Sequence, residues 1–230
     1  MAELKAQGRL DGKREWVVQK PAVGPLERVQ AEGRLVGMHG YRQLLEALGG
    51  GDIAKLSLGC PSIRPHVERL GQHLRWHGAL SLDYIVEDGT PLFIDANPRL
   101  VEPVNAVLSG VNLADALVKL SLGEAVAALP ASRPGAQTHM LLMAMLSAAD
   151  RRILRFDVLR ELARALARRG LFNQSREELL PFHLDPPALL PFACALARLL
   201  LNPRSASTLS SGTIAAYSLS PETARQIAAS

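Results

Sequence analysis

The sequence predicts an α+β chain: an antiparallel sheet with helices over roughly the first 125 residues, then a mostly helical C-terminal region. Three observations carry this expectation. Residues 79–86 and 92–97 are strand-like and flank Glu87-Asp88-Gly89-Thr90, where Gly89 can take a positive φ. Ile63, Val67, Leu70 and Leu74 recur at helical spacing. From about Gln137 onward apolar runs at helical period alternate with short linkers, and no further hairpin signal follows.

Taken in order, residues 1–15 form a polar N-terminal segment, 16–125 the sheet-bearing domain and 126–230 the helical region. Trp16-Val17-Val18-Gln19 reads as a short strand broken by Lys20-Pro21-Ala22-Val23-Gly24. A second strand is expected over 34–38. His39, Tyr41 and Arg42 then fall in the turn that follows it, where they can face a substrate or serve an ordinary turn equally well. Gly49-Gly50-Gly51-Asp52-Ile53-Ala54-Lys55 holds glycine and lysine but misses the phosphate-loop spacing, so a flexible loop is expected. A helix over 63–76 ends near Gly78. Past the hairpin, Asn112 is an N-cap with Asp115 in the first turn. Asp157 opens a helix with Leu159, Leu162, Ala163 and Leu166 on one face and Gly170 at its end. A second apolar helix spans 189–201, a serine-rich loop 205–212, and a weak helix starts at Pro221.

The hairpin carries the most informative chemistry. Leu80, Leu82, Tyr84, Val86, Leu92, Ile94 and Ala96 all stand at even positions, so a register pairing even with even gathers them on one apolar face. The other face then holds Asp83, Asp95 and Asn97. A type I turn at Glu87 and Asp88, with Gly89 as the left-handed bulge residue, gives that register and sets Asp83 diagonal to Asp95 at roughly 7 Å. Magnesium is a hard cation that takes oxygen ligands, commonly one or two carboxylates plus substrate phosphates. Asp83 and Asp95 offer carboxylates and Asn97 a neutral carbonyl, while Arg99 offers a fork of donors to a phosphate. Two acids alone would suit an ordinary solvated sheet face. The Asp95-Ala96-Asn97-Pro98-Arg99 run tips the balance toward a magnesium–nucleotide site.

The block Gly78-Ala79-Leu80-Ser81-Leu82-Asp83-Tyr84, followed by Phe93-Ile94-Asp95-Ala96-Asn97-Pro98-Arg99, resembles the C-terminal half of an ATP-grasp domain, as in biotin carboxylase and the carbamoyl phosphate synthetase large subunit. The resemblance implies that Asp83, Asp95 and Asn97 hold magnesium and that Arg99 is the catalytic residue steadying phosphates or an acyl phosphate. The segment from Glu102 to Leu113 is similar to the short helix and following element of that family. Trp16 to Gly24 resembles its adenine hinge, which puts Gln19, Lys20 and Ala22 against the base. Altogether the resemblance spans roughly residues 14 to 125. It implies ATP and magnesium as cofactors and a carboxylate-activating ligase, with an unnamed carboxylate substrate. Two departures stand out. Asp95 is one methylene shorter than the family's usual glutamate, and the chain begins near the hinge, where the family has two phosphate-binding lysines and a glycine-rich loop before it. A partial enzyme is therefore expected, its missing half carried by a separate chain. The alternatives are a non-catalytic remnant or interaction module, or a protein acting through an arginine-striped helix on a partner or membrane surface.

Composition narrows the classes. The chain has 230 residues, 48% apolar, enough for one sizeable core. Most of the net charge of +4 lies in one arginine-rich region, and aromatics are only 4%, so no nucleic-acid binding is expected. Cys60 and Cys194 lack any framework spacing. With no apolar signal core, and an apolar run over 188–201 that is short and carries Arg198, the chain is expected to be cytoplasmic without a transmembrane segment. His73 and His77 stand four apart, but Leu74 replaces the glutamate of the zinc-protease motif, and an exposed polar face is the simpler reading. Arg160, Arg164 and Arg168 form a stripe whose default is a solvated face.

Overall fold

The computed structural model describes residues 27–32, 35–47, 51–101, 103–180 and 182–210. Gln19, Lys20 and Ala22, the strand expected at 16–19 and the helix expected from Pro221 lie outside these residues.

The chain is mixed α/β around a seven-stranded sheet. In chain order the elements are β1 (Glu27–Glu32), β2 (Gly37–Glu46), β3 (Asp52–Leu58), α1 (Arg64–Leu74), β4 (Ala79–Glu87), β5 (Thr90–Asn97), α2 (Val104–Leu108), α3 (Leu113–Ser121), β6 (Gln137–His139), α4 (Leu141–Arg152), α5 (Arg155–Leu166), β7 (Arg176–Glu177) and α6 (Leu189–Leu201). The strand order is β5-β4-β1-β2-β3-β6-β7, antiparallel throughout except for the parallel pair β6–β7. Thus β6 and β7, from the region after residue 126, extend the same sheet as the hairpin.

One face of the sheet is apolar. Leu80, Leu82 and Tyr84 on β4 and Met38 on β2 pack with Cys60 against Ile63 and Val67 at the start of α1, and Phe93 meets the Tyr84 ring at 6.0 Å. Each such aliphatic or aromatic side chain contributes about 1.5–3 kcal/mol when fully buried. α1 ends where Arg75 turns left-handed at φ 48, three residues before the expected cap at Gly78, because the Arg75 and Trp76 amides return to the Gln72 and Gly71 carbonyls. A second core lies where Ile53 of β3 meets Leu141, Met145 and Ala149 of α4, Val158, Phe172 and Leu199. On the polar face Val111 and Leu113 pack with Leu129 over β2. Gly37 is closely covered there: a Cβ would stand 2.5 Å from Leu129 Cδ1 and 2.9 Å from Leu113 Cδ2, so both leucines would have to shift to admit one.

Several expectations are corrected. Glu87 pairs with Thr90 across a two-residue loop in which Asp88 (φ 49) and Gly89 (φ 76) are both left-handed, a type I′ turn in place of the type I turn with a glycine bulge. The extra residue is instead Ile94, skipped where the register shifts between Asp83 and Tyr84. Phe93, not Leu92 or Ile94, therefore faces the core; Leu92 pairs with Ile85 and Ile94 is half exposed. Asp52–Leu58 is a strand, not a loop, because it joins β2 on one side and β6 on the other. His39, Tyr41 and Arg42 lie within β2, with the first two fully buried. α5 turns Asp157 and Val158 inward with Leu162 packed on the second core, and leaves Leu159, Ala163 and Leu166 exposed, so of the expected face Leu162 alone packs inward. Residues 205–210 are helical, since Asn202 Oδ1 accepts the Arg204 amide and starts a new turn. Asn112 does cap α3, its Oδ1 accepting the Asp115 amide at 3.1 Å, and the apolar helix over 189–201 is present as α6. Among the described residues no helix is long and apolar enough to cross a membrane, and both cysteines are free thiols.

Candidate functional site

The bulge at Ile94 sets the site. It lets Phe93 face the core beside Tyr84 while Asp95 stands directly opposite Asp83 and Asn97 directly opposite Ser81. Opposed residues hold their Cβ atoms about 4.5–5.5 Å apart, closer than the diagonal expected from parity. Asp83, Asp95 and Asn97 thus share one face. Asp95 Oδ1 accepts the Ala96 amide at 2.9 Å, and Asn97 Nδ2 donates to Asp95 Oδ2 at 2.7 Å. That orientation turns the Asn97 carbonyl oxygen away from Asp95, and it has no hydrogen bond among the described residues.

Arg99 follows at the strand end. Its amide returns to the Asn97 carbonyl at 2.8 Å around Pro98, a turn of γ type that the fixed proline φ favours. Its carbonyl accepts the buried Ser81 hydroxyl at 2.6 Å. The backbone of Arg99 is thereby pinned to β4, and its exposed guanidinium has no hydrogen bond or ion pair among the described residues. The donor set of two carboxylates, one amide carbonyl and a guanidinium fits a hard cation with a phosphate beside it.

The same face continues inward across the sheet. Asp83 registers with Arg28 on β1, Arg28 with Tyr41 on β2, and Tyr41 with Ser57 on β3. One further pair along, Gln43 registers with Lys55 and Lys55 with Thr138. Lys55 is fully buried, with Nζ 3.1 Å from Glu178 Oε2, 4.0 Å from Asp52 Oδ2 and 5.2 Å from the centre of the Tyr41 ring. Asp52 accepts from Gln43 at 2.6 Å and from the Tyr41 hydroxyl at 3.3 Å. The other Glu178 oxygen accepts the Asn105 amide at 3.2 Å, so the C-terminal region is tied to β3 and to the start of α2 at once.

Asn105 also fixes a histidine. Its Nδ2 donates to the Ala136 carbonyl and the Thr138 hydroxyl, leaving Oδ1 for His39 Nε2 at 2.9 Å. His39 Nε2 therefore carries the proton, and Nδ1 accepts beside the Ser132 and Ser109 hydroxyls at 2.9 and 3.0 Å. Burial lowers the His39 pKa to about 4, opposed by the Asn105 hydrogen bond and reinforced by the Lys55 charge. The ring is neutral. Burial also lowers the His139 pKa, against the raising effect of Glu177 at 3.4 Å.

Sequence reasoning missed Ser81, Asn105, Lys55, Asp52 and Glu178. Asn105 had one readable signal, an asparagine inside a short helical stretch, a position it takes chiefly when its side chain has fixed partners. The Lys55–Glu178 pair joins residues far apart in sequence and leaves no local pattern. His73 and His77 are exposed and outside this site: His73 is in the last turn of α1, His77 beyond it.

No protein-family model matches the sequence, and no curated protein matches it. Among solved structures the chain is similar to the N5-carboxyaminoimidazole ribonucleotide synthetase of Thermus thermophilus, with 16% identity over 52% of this chain and 35% of that one and a TM-score of 0.38. It is similar to the biotin carboxylase domain of a single-chain bacterial carboxylase, with 19% identity over 59% of this chain and 40% of that one and a TM-score of 0.41. It is likewise similar to the urea amidolyase of K. lactis, with 14% identity over 49% of this chain and 8% of that one and a TM-score of 0.39. The chain spans no more than 40% of the length of these three proteins.

Proposed function

We propose that the polar face of the hairpin is the metal side of a magnesium–nucleotide site in an ATP-grasp domain, and that the chain serves ATP-dependent activation of a carboxylate. The observation that carries the reading is the direct opposition of Asp83 and Asp95 with Asn97 on the same face. The motif Asp95-Ala96-Asn97-Pro98-Arg99 supports it. Asp83 and Asp95 would hold magnesium through carboxylate oxygens and Asn97 through its free carbonyl. Bound there, the ion supplies charge neutralisation to the phosphates. Arg99, its backbone fixed by Ser81, presents its guanidinium to a phosphate or acyl-phosphate oxygen. Gln19, Lys20 and Ala22 would take the adenine. The reaction class is transfer of the terminal phosphoryl group of ATP to a carboxylate, releasing ADP, followed by attack of an amine or another nucleophile that expels phosphate, so these residues position groups and hold charge without covalent participation.

The test is calorimetry with magnesium and ATP or ADP. The parent binds. Asp95→Ala, which removes a charge-assisted ligand worth about 1.5–3 kcal/mol, weakens binding roughly ten- to a hundredfold or more. Equal binding by the variant and the parent would remove the assignment.

A further inference from the structure

Residues 151–169 contain seven arginines and two acids, an excess of +5 in a chain whose whole net charge is +4. α5 runs through this segment. Phe156, Leu159, Ala163 and Leu166 fall within an arc of about 80° on a helix of 3.6 residues per turn. That arc faces away from the core: Phe156 is 69% exposed, Leu159 47% and Leu166 79%. Arg155 borders it on one side and Arg160 and Arg164 on the other. The apolar surface continues around an open groove of about 580 Å³, where Ile153, Leu154 and Phe156 meet Leu201, with Arg155 and Arg204 on its walls.

An exposed apolar stripe with arginines on both flanks has a definite complement. A second copy of the chain would bring two +5 segments together. A neutral apolar partner would leave the arginines beside apolar surface. An anionic bilayer answers both parts, with acyl chains for the stripe and headgroup phosphates for the guanidinium forks.

We infer that α5 and the adjoining groove dock onto an anionic lipid surface, with α5 lying in the plane of the interface, Phe156, Leu159 and Leu166 inserted, and the flanking arginines on lipid phosphates. At 12 residues the helix is about 18 Å long. Arg160 and Arg164 keep their ion pairs to Asp157 and Glu161 at 2.9 and 3.3 Å while remaining half exposed. Arg151 and Arg168 have no ion-pair partner among the described residues. This surface is separate from the hairpin face and stands whether or not nucleotide binds there.

The experiment is co-sedimentation of the full chain with vesicles of phosphatidylcholine alone or with ~30% phosphatidylglycerol, where each basic residue near the anionic surface strengthens binding about fivefold. Anionic vesicles are expected to bind at least about tenfold more tightly than neutral ones, with most of that gain lost between about 0.1 and 0.5 M salt. The double variant Phe156→Ser, Leu166→Ser, both at exposed positions, is expected to weaken binding about tenfold or more with an unchanged circular dichroism spectrum. Equal sedimentation with both vesicle types, or none with either, overturns the inference. So does a double variant that binds like the parent, which would reduce the effect to adsorption of arginines. Capture on polyglutamate beads without vesicle binding would assign the surface to an acidic polypeptide instead.

Discussion

His39 makes the stability of the fold depend on pH in a calculable way. Its ring is buried and neutral, with Nε2 donating to Asn105 and Nδ1 accepting from a serine hydroxyl. In the unfolded chain it titrates near 6.5, whereas in the fold burial lowers this to about 4. The unfolded state therefore takes up the proton first on acidification. Stability is fully present above pH 6.5 and drains as pH falls toward 4. At about 1.4 kcal/mol for each tenfold difference in proton affinity, the histidine withdraws about 2 kcal/mol by pH 5 and about 3 kcal/mol by pH 4. The assay is urea unfolding between pH 7.5 and 5 for the parent and for His39→Gln, whose amide donates to Asn105 but does not titrate. Carboxylates and the other histidines contribute to both proteins and cancel in the difference. The parent is expected to lose about 2 kcal/mol more than the variant over that interval. Parallel stability curves for the two proteins would refute the account of a neutral, desolvated His39.

Lys55→Met leaves the Glu178 and Asp52 carboxylates buried without their cation and is expected to cost about 3–5 kcal/mol in denaturant unfolding. Adding Glu178→Gln should return at least about 1 kcal/mol, and a strictly additive double variant would show that the pair is not coupled. Gly37→Ala drives a methyl into Leu113 and Leu129 and should destabilise by about 1–3 kcal/mol in the same assay; an unchanged midpoint would mean the two leucines move aside freely. Asn112→Ala removes the cap on α3 and should cost about 1 kcal/mol, with Asn112→Asp close to the parent in a thermal melt.

What could be read from the sequence was whatever local chemistry decides. Asn112 and Asp115 place their cap through contacts three residues apart. The apolar run over 189–201 keeps its type because nothing inside it competes with a helix. The hairpin was legible for the same reason, and the grouping of Asp83, Asp95 and Asn97 on one face survived. It survived, however, by a route different from the one expected. A single bulge at Ile94 changes the parity of pairing halfway along, so the turn-side half pairs even with odd and the far half even with even. Parity assumes an uninterrupted ladder and has no access to such a shift. Tertiary partners account for the other differences. The glycine-rich stretch 49–55 reads as a loop, yet its second half is held as a strand between β2 and β6, and α5 turns Asp157 and Glu161 toward the interior because Val158, Leu162 and Ala165 pack on the second core. Lys55, read as part of that loop, is buried against Glu178, a partner too distant along the chain to leave a local signal.

β5 is the outermost strand of the sheet among the described residues, and an open strand edge is a template on which other chains can polymerise. Three of its eight residues spoil that template. Pro91 has no amide hydrogen to offer, Ile94 breaks the even spacing of donors and acceptors, and Asp95 places a charge beside any incoming strand. A growing fibril needs each added strand to repeat the hydrogen-bond spacing of the last, and β5 presents no such repeat beyond a few residues. The irregularity that sets two carboxylates face to face thus also protects the chain during synthesis and at high concentration, when unfinished sheets meet most often.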